Sequence, residues 1–190
     1  MSPLRTLRNA ALAAAAATAL GACVTVPQAG NSLGELEAVL ASHESATAAL
    51  EEWCAMRRFA DPARVVAEPA GGRIEPSAQS RASLELNEDA PVGYRHVRLS
   101  CGGRVLSDAH NWYVPARLTA EMNHVLETTR TPFGRVVMPL GFRRERLAGQ
   151  RGPAEGCPED TVLSHRALLR LPGGDPISLV IECYTAAAVE

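Results

Sequence analysis

Two charged residues stand where the surrounding pattern calls for apolar ones, and they are the side chains best placed to do chemistry. Residues 94–115 read as two strands joined by a Gly102-Gly103 turn. From Tyr94 onward, alternation puts Arg95, Val97, Leu99 and Cys101 on one face and Tyr94, His96, Arg98 and Ser100 on the other. Arg95 therefore shares the apolar face. A guanidinium buried there needs a partner or an anionic ligand, because an unpaired buried charge is costly; the alternative is a place near the strand end, from which the side chain snorkels to water. In the last strand, Ser178, Val180, Glu182 and Tyr184 alternate with Leu179, Ile181 and Cys183, so Glu182 is a second charge within an apolar run. A solvated edge strand would explain it. A cleft shared with Arg95 would instead make the two a polar pair in an apolar pocket, the usual form of a small-ligand site. Periodicity leaves both readings open.

The elements that must position these residues follow from the same kind of pattern. Residues 33–59 read as one helix, with Leu36, Leu40, Leu50 and Cys54 at helical spacing and no proline or glycine after Gly34 until Asp61-Pro62 stops it. Residues 64–67 read as a short strand and 69–80 as a loop. Residues 82–86 alternate weakly, with Leu84 and Leu86 as their apolar positions. Leu118, Met122, Val125 and Leu126 have helical spacing, with Thr119 as a cap and Glu121 in the first turn. Residues 136–138 and 142–147 read as strands, and Arg143, Arg144 and Arg146 around Glu145 as the solvated face of the second or as an anion entrance. The chain closes on a hairpin, 162–171 and 177–185, around Pro172-Gly173-Gly174-Asp175. Hairpins dominate the second half. The fold class is therefore α+β, a mainly antiparallel sheet with helices packed on it.

The 190 residues, 46% hydrophobic and 21% charged, suit one globular domain. A net charge of −2 with interspersed signs and no run of Lys or Arg excludes a basic field for nucleic acid. No apolar stretch in the body reaches the roughly 18 to 20 residues of a membrane span, so the domain is expected to be soluble and monomeric. No nucleophile-base motif, phosphate loop or calcium loop is present. Trp53 and Trp112 read as core or flap residues, and of His165 and Arg166 only one can face a cleft, since they are adjacent on a strand.

The N-terminus reads as a targeting segment: Arg5 and Arg8, an apolar run over 10–20, then Leu20-Gly21-Ala22-Cys23. This resembles a bacterial lipoprotein signal with its lipobox, which implies a signal peptide over 1–22, cleavage before Cys23, acylation of that cysteine and a tether over 23–32. Residues 33–190 form the domain. Several acyl chains would anchor the protein firmly, and Val24 after the cysteine resembles the outer-membrane sorting pattern, so the expected location is periplasm-facing. In that oxidising compartment Cys54, Cys101, Cys157 and Cys183 can form up to two disulfides, with three pairings possible. Neither these cysteines nor His43, His96, His110, His124 and His165 show paired short spacing, so no metal is expected.

Three blocks together resemble the chorismate lyase family: Tyr94-Arg95-His96-Val97-Arg98-Leu99 with its glycine turn and Trp112-Tyr113-Val114-Pro115; Thr131-Pro132-Phe133-Gly134-Arg135; and the hairpin over 165–184. The likeness covers residues 50–185. It implies an antiparallel sheet with a ligand buried beneath helical flaps, and conversion of chorismate to 4-hydroxybenzoate and pyruvate without a cofactor. By position it gives Arg95 the ligand carboxylate, Glu182 the ring hydroxyl, and Phe133 a backbone amide contact to the carboxylate. A planar fork of donors suits a carboxylate, and a carboxylate opposite could accept from the hydroxyl or assist proton loss on aromatisation. The family's second hairpin strand needs about one residue fewer to align, His110 or Asn111 stands where the family has a basic residue, and near Ala55 or Met56 its flap makes a further backbone contact.

A lipoprotein sits away from cytoplasmic chorismate. Two functions therefore remain: a domain that binds a small aromatic or cyclohexadienyl carboxylate, with or without chorismate pyruvate-lyase activity, and a non-catalytic envelope interaction or scaffold protein that retains the fold.

Overall fold

Residues 32–190 are the part of the chain that the computed structural model describes. The expected signal peptide over 1–22, the expected lipidation site Cys23 and the expected tether over 23–32 lie outside them, except Ser32, which already opens the first helix. The elements are α1 (Ser32–Ala41), α2 (Ala46–Arg57), β1 (Val65–Pro69), α3 (Ala78–Ser83), β2 (Gly93–Cys101), β3 (Arg104–Tyr113), α4 (Ala120–Thr128), α5 (Phe133–Val137), β4 (Arg143–Arg151), β5 (Thr161–Arg170) and β6 (Pro176–Thr185). The strands form one sheet in the order β1-β2-β3-β6-β5-β4, and every neighbouring pair is antiparallel. The class is α+β, as the pattern of hairpins requires.

The central hairpin turns on Gly102 and Gly103, both at positive φ, the two-residue turn whose twist matches that of the strands. Past the turn the register shifts: Ser100 faces Val105 but Leu99 faces Ser107, which leaves Leu106 as an extra residue in β3. Leu106 is fully buried.

Each face of the sheet is covered differently. Leu36 and Leu40 of α1 and Leu50 and Trp53 of α2 pack with Val97, Leu99, Ala109, Leu163 and Tyr184, so both helices lie on the face that carries Arg95. Burying side chains of this size stabilises by about 1.5 to 3 kcal/mol each. Further along that face, Leu126 of α4 and Phe133 and Val137 of α5 pack with Tyr113, Phe142, Leu169 and Ile177. On the opposite face Leu84 joins Trp112, Val114, Leu168 and Leu179. Both tryptophans are core residues, and the Trp53 indole donates to the Ala188 carbonyl at 2.7 Å. The four cysteines form two disulfides, Cys54–Cys101 between α2 and β2 and Cys157–Cys183 between the β4–β5 loop and β6.

Three segments differ from the sequence expectation. The single helix over 33–59 is two, because Ser42 Oγ bonds back to the Val39 carbonyl and extended Ser45 accepts from the Ala48 N–H to start a new helix. The weak strand over 82–86 is the end of α3 and its cap, since Ser77 accepts from Ser80 N and starts a helical turn that delivers Leu84 to the core. The strand over 136–138 is α5 and a 3₁₀ turn. There Phe133 and Val137 stand one helical turn apart, and both are buried. In the last two cases the apolar run was too short for its period to be read.

Candidate functional site

Arg95 and Glu182 do line one cavity. It lies between the sheet and the helices above it, measures about 50 Å³, and is bordered also by Ser45, Thr47, Asn111, Phe133 and Arg144. The register explains the meeting: Arg95 pairs with Asn111, which pairs with Val180, while Val97, Ala109 and Glu182 form the next row on the same face. Of His110 and Asn111, it is Asn111 that faces the cavity. Its Oδ1 accepts from the Ser178 hydroxyl.

The Arg95 guanidinium is half-buried beside Phe133 and donates to the Thr131 carbonyl at 3.1 Å and, weakly, toward Thr129 O at 3.5 Å. Among the described residues no carboxylate lies within ion-pair reach of it. Burial consequently pulls its pKa below the ordinary arginine value. Carbonyl dipoles hold the side chain in place but leave its charge uncompensated.

Glu182 is in the opposite situation. Arg144 donates from Nη1 to Oε1 at 3.1 Å and from Nη2 to Oε2, and the Tyr184 hydroxyl donates to Oε2 at 2.9 Å. Arg144 is therefore not on a solvated strand face. It points inward from β4, with its side chain 8% exposed, because β4 is the edge strand and its inward row continues the row of Leu169 and Ser178. Burial opposes the Arg144 charge, but the Glu182 carboxylate outweighs it and raises the guanidinium pKa. Burial and Glu182 together push the Tyr184 phenol well above the usual tyrosine value. Glu182 is a satisfied carboxylate, not a free base.

The remaining wall comes from the turn between α1 and α2 and from the start of α5. Gly134 approaches this turn so closely that a Cβ there would lie 2.5 Å from Ser45 Oγ. Phe133 packs its ring against Tyr113 at 5.6 Å, and the N-cap of α5, Pro132, supplies no side-chain acceptor to the first N–H groups. Glu44, in the same turn, accepts from the Arg144 backbone N–H. Ala55 and Met56, near which a flap contact was expected, are exposed on α2 and do not border the cavity, whose wall on that side is residues 44–47. Sequence reasoning missed Ser45 and Thr47 and, having read Arg144 as part of a solvated face or an anion entrance, missed its pairing with Glu182. The one available signal was Ser45, a helix-capping residue two positions before Thr47.

His165 lies across from Glu182 on β5, whereas Arg166 points to the other face. Burial lowers the His165 pKa to about 4; Glu182 opposes the shift, and Arg146 and Arg144 add to it. That imidazole is neutral at pH 7.

No family model matches the sequence. Among solved structures, the effector domain of PhnF from Mycobacterium smegmatis matches 75% of this chain and 89% of its own, with 12% identity and a TM-score of 0.54. Full-length PhnF from the same organism matches with 12% identity and a TM-score of 0.53 over 76% of this chain, which spans 64% of the PhnF length. The shared fold is α+β and chorismate-lyase-like, the architecture that the three sequence blocks implied. A much nearer sequence relative is the uncharacterized protein y4mC of Sinorhizobium fredii (strain NBRC 101917 / NGR234), 42% identical over 175 residues that cover 80% of this chain and 73% of y4mC. On that identity and coverage, the chain belongs to the same family as y4mC.

Proposed function

We propose that this protein is an envelope lipoprotein, anchored through Cys23 and facing the periplasm, whose domain binds a small aromatic or cyclohexadienyl carboxylate at Arg95. The observation that carries the reading is the half-buried Arg95 guanidinium, which faces the cavity with no carboxylate in reach among the described residues. An anionic ligand supplies the missing charge, and the planar donor fork suits a carboxylate. Phe133 offers an apolar edge and a backbone N–H beside it. The likeness to the PhnF effector domain supports a fold able to carry such a site.

Binding is favoured over lyase chemistry, because both Glu182 oxygens are already engaged by Arg144 and Tyr184. In this role the ion pair forms the polar end of the pocket, against which a ring hydroxyl rests. The space of about 50 Å³ is a third of the ~150 Å³ apolar cavity that accommodates benzene. A ring acid therefore enters only as the turn at 44–47 and the start of α5 move apart.

The test is calorimetry with 4-hydroxybenzoate on wild type and Arg95→Ala, together with pyruvate release from chorismate. Wild type should bind saturably, Arg95→Ala should lose roughly 2 to 5 kcal/mol of affinity, and pyruvate should stay at background. No saturable binding at millimolar ligand would overturn the ligand reading. Incorporation of labelled fatty acid that disappears in Cys23→Ser tests the anchor separately.

A further inference from the structure

The sheet face away from Arg95 carries a second cluster, and its residues come from two neighbouring strands. His96 of β2 lies directly across from His110 of β3, and Asp108 stands two residues before His110, on the same face. One donor atom from each of the three lies within 4.8 Å of the others. Asp108 Oδ1 is 2.7 Å from His96 Nε2 and 3.9 Å from His110 Nε2, so both imidazoles turn the same nitrogen toward one carboxylate oxygen. Asp108 and His110 are buried.

The other nitrogen of each ring is occupied in the way that metal-bound histidines require. His96 Nδ1 is 2.7 Å from the Gly71 carbonyl, and a carbonyl can only accept, so Nδ1 carries the proton. His96 Nε2 in the neutral ring is then a lone pair pointed at a carboxylate oxygen 2.7 Å away. Two acceptors at that distance need a cation between them, either a proton on Nε2 or a metal ion. His110 Nδ1 is held by the Tyr94 hydroxyl at 2.8 Å, and Arg98 Nε approaches the second Asp108 oxygen at 3.5 Å. A carbonyl or hydroxyl behind each imidazole fixes ring orientation and is the usual outer support of a metal ligand.

We propose that His96, Asp108 and His110 bind a divalent transition-metal ion of the zinc class. Two imidazoles and one carboxylate are a known catalytic-type zinc set, with a fourth position left for water or another ligand. Ligand atoms held about 2.0 Å from a tetrahedral ion stand roughly 3.3 Å apart, a value between the two separations to Asp108; the two imidazoles, stacked with centroids 4.2 Å apart, must splay to converge on one ion. The expectation of no metal rested on spacing along the chain. Antiparallel pairing supplies instead a spacing across strands. This site is independent of Arg95, which lies on the opposite face.

The test uses the full chain as Cys23→Ser, so that the one cysteine outside the two disulfides offers no competing thiolate. Equilibrium dialysis against Zn²⁺ should give one ion per chain, and Co²⁺ in its place should give the visible absorption of a site with few ligands. His96→Ala and Asp108→Asn should each weaken zinc binding by about 100-fold or more, while Tyr94→Phe, which keeps every ligand and removes only the support behind His110, should weaken it by about tenfold. His43→Ala and His124→Ala should change nothing. The proposal is overturned if no stoichiometric ion is retained, or if retention is the same in His96→Ala and Asp108→Asn as in the parent; in either case the cluster is a protonated His96 paired with Asp108.

Discussion

The guanidinium of Arg144 on the edge strand β4 grips both carboxylate oxygens of Glu182 on β6, across the intervening strand β5, with the two side chains only 8% and 6% exposed. A pair so enclosed contributes little net stability when whole, because each ion gave up its hydration. Losing one member leaves the other charge buried and alone.

Arg144→Ala and Glu182→Ala should therefore each destabilise the protein by about 3 to 5 kcal/mol, whereas the double replacement Arg144→Met with Glu182→Leu should recover most of that loss. Urea unfolding of the three variants measures it. A double variant whose loss equals the sum of the single losses would show that the pair does not act as a unit.

The two disulfides close segments separated by 47 and 26 residues. Chain-entropy estimates for loops of this size give about 3 to 4 kcal/mol for each. Oxidised, denatured protein should show none of Cys54, Cys101, Cys157 and Cys183 as free thiols, and Cys54→Ser with Cys101→Ser should lower the unfolding free energy by about that amount. Alkylation followed by mass spectrometry reads the first, and denaturant titration the second. Four alkylated cysteines without reductant would rule the bridges out.

His165 makes stability depend on pH. Its folded pKa of about 4 lies below the ordinary 6.5, so as pH falls the unfolded chain takes up the proton first. Stability is full above about pH 6.5 and declines as pH drops toward 4, by roughly 3 kcal/mol at most. Burial sets this balance, with Arg146 and Arg144 adding to it and Glu182 and Glu37 opposing it. Replacing His165 by Gln should flatten the fall between pH 7 and pH 4.5 relative to wild type, in urea titrations at the two pH values. Parallel losses in the two proteins would assign the effect elsewhere.

Much of the architecture was legible in the chain because strands and capped helices are written in local periods. Alternation from Tyr94 to Cys101 and from Ser178 to Tyr184, the Gly102-Gly103 turn and the Thr119 cap each depend on neighbours a few residues away, and each lies where the pattern put it. Arg95 and Glu182 stood out for the same reason, as charges that broke an apolar row. Short segments were less legible: the helix break at Ser42 to Ser45 and the helical turn of α5 turn on one or two hydrogen bonds that compete with propensity on nearly equal terms.

By itself the sequence determined which residues alternate, which charges are misplaced and which cysteines can pair. Only the tertiary structure decided what those residues meet. Arg144 reaches Glu182, and His96 joins Asp108 and His110, because strand order and register bring distant positions to neighbouring rows of one face, and Cys54 reaches Cys101 because α2 packs on that sheet. Sheet order arises from burial of the whole set of apolar faces at once, so no local period encodes it. Glu182 was visible as a charge in the wrong place. That it is already answered by Arg144, while Arg95 is not answered by any described carboxylate, is a property of the packed sheet alone.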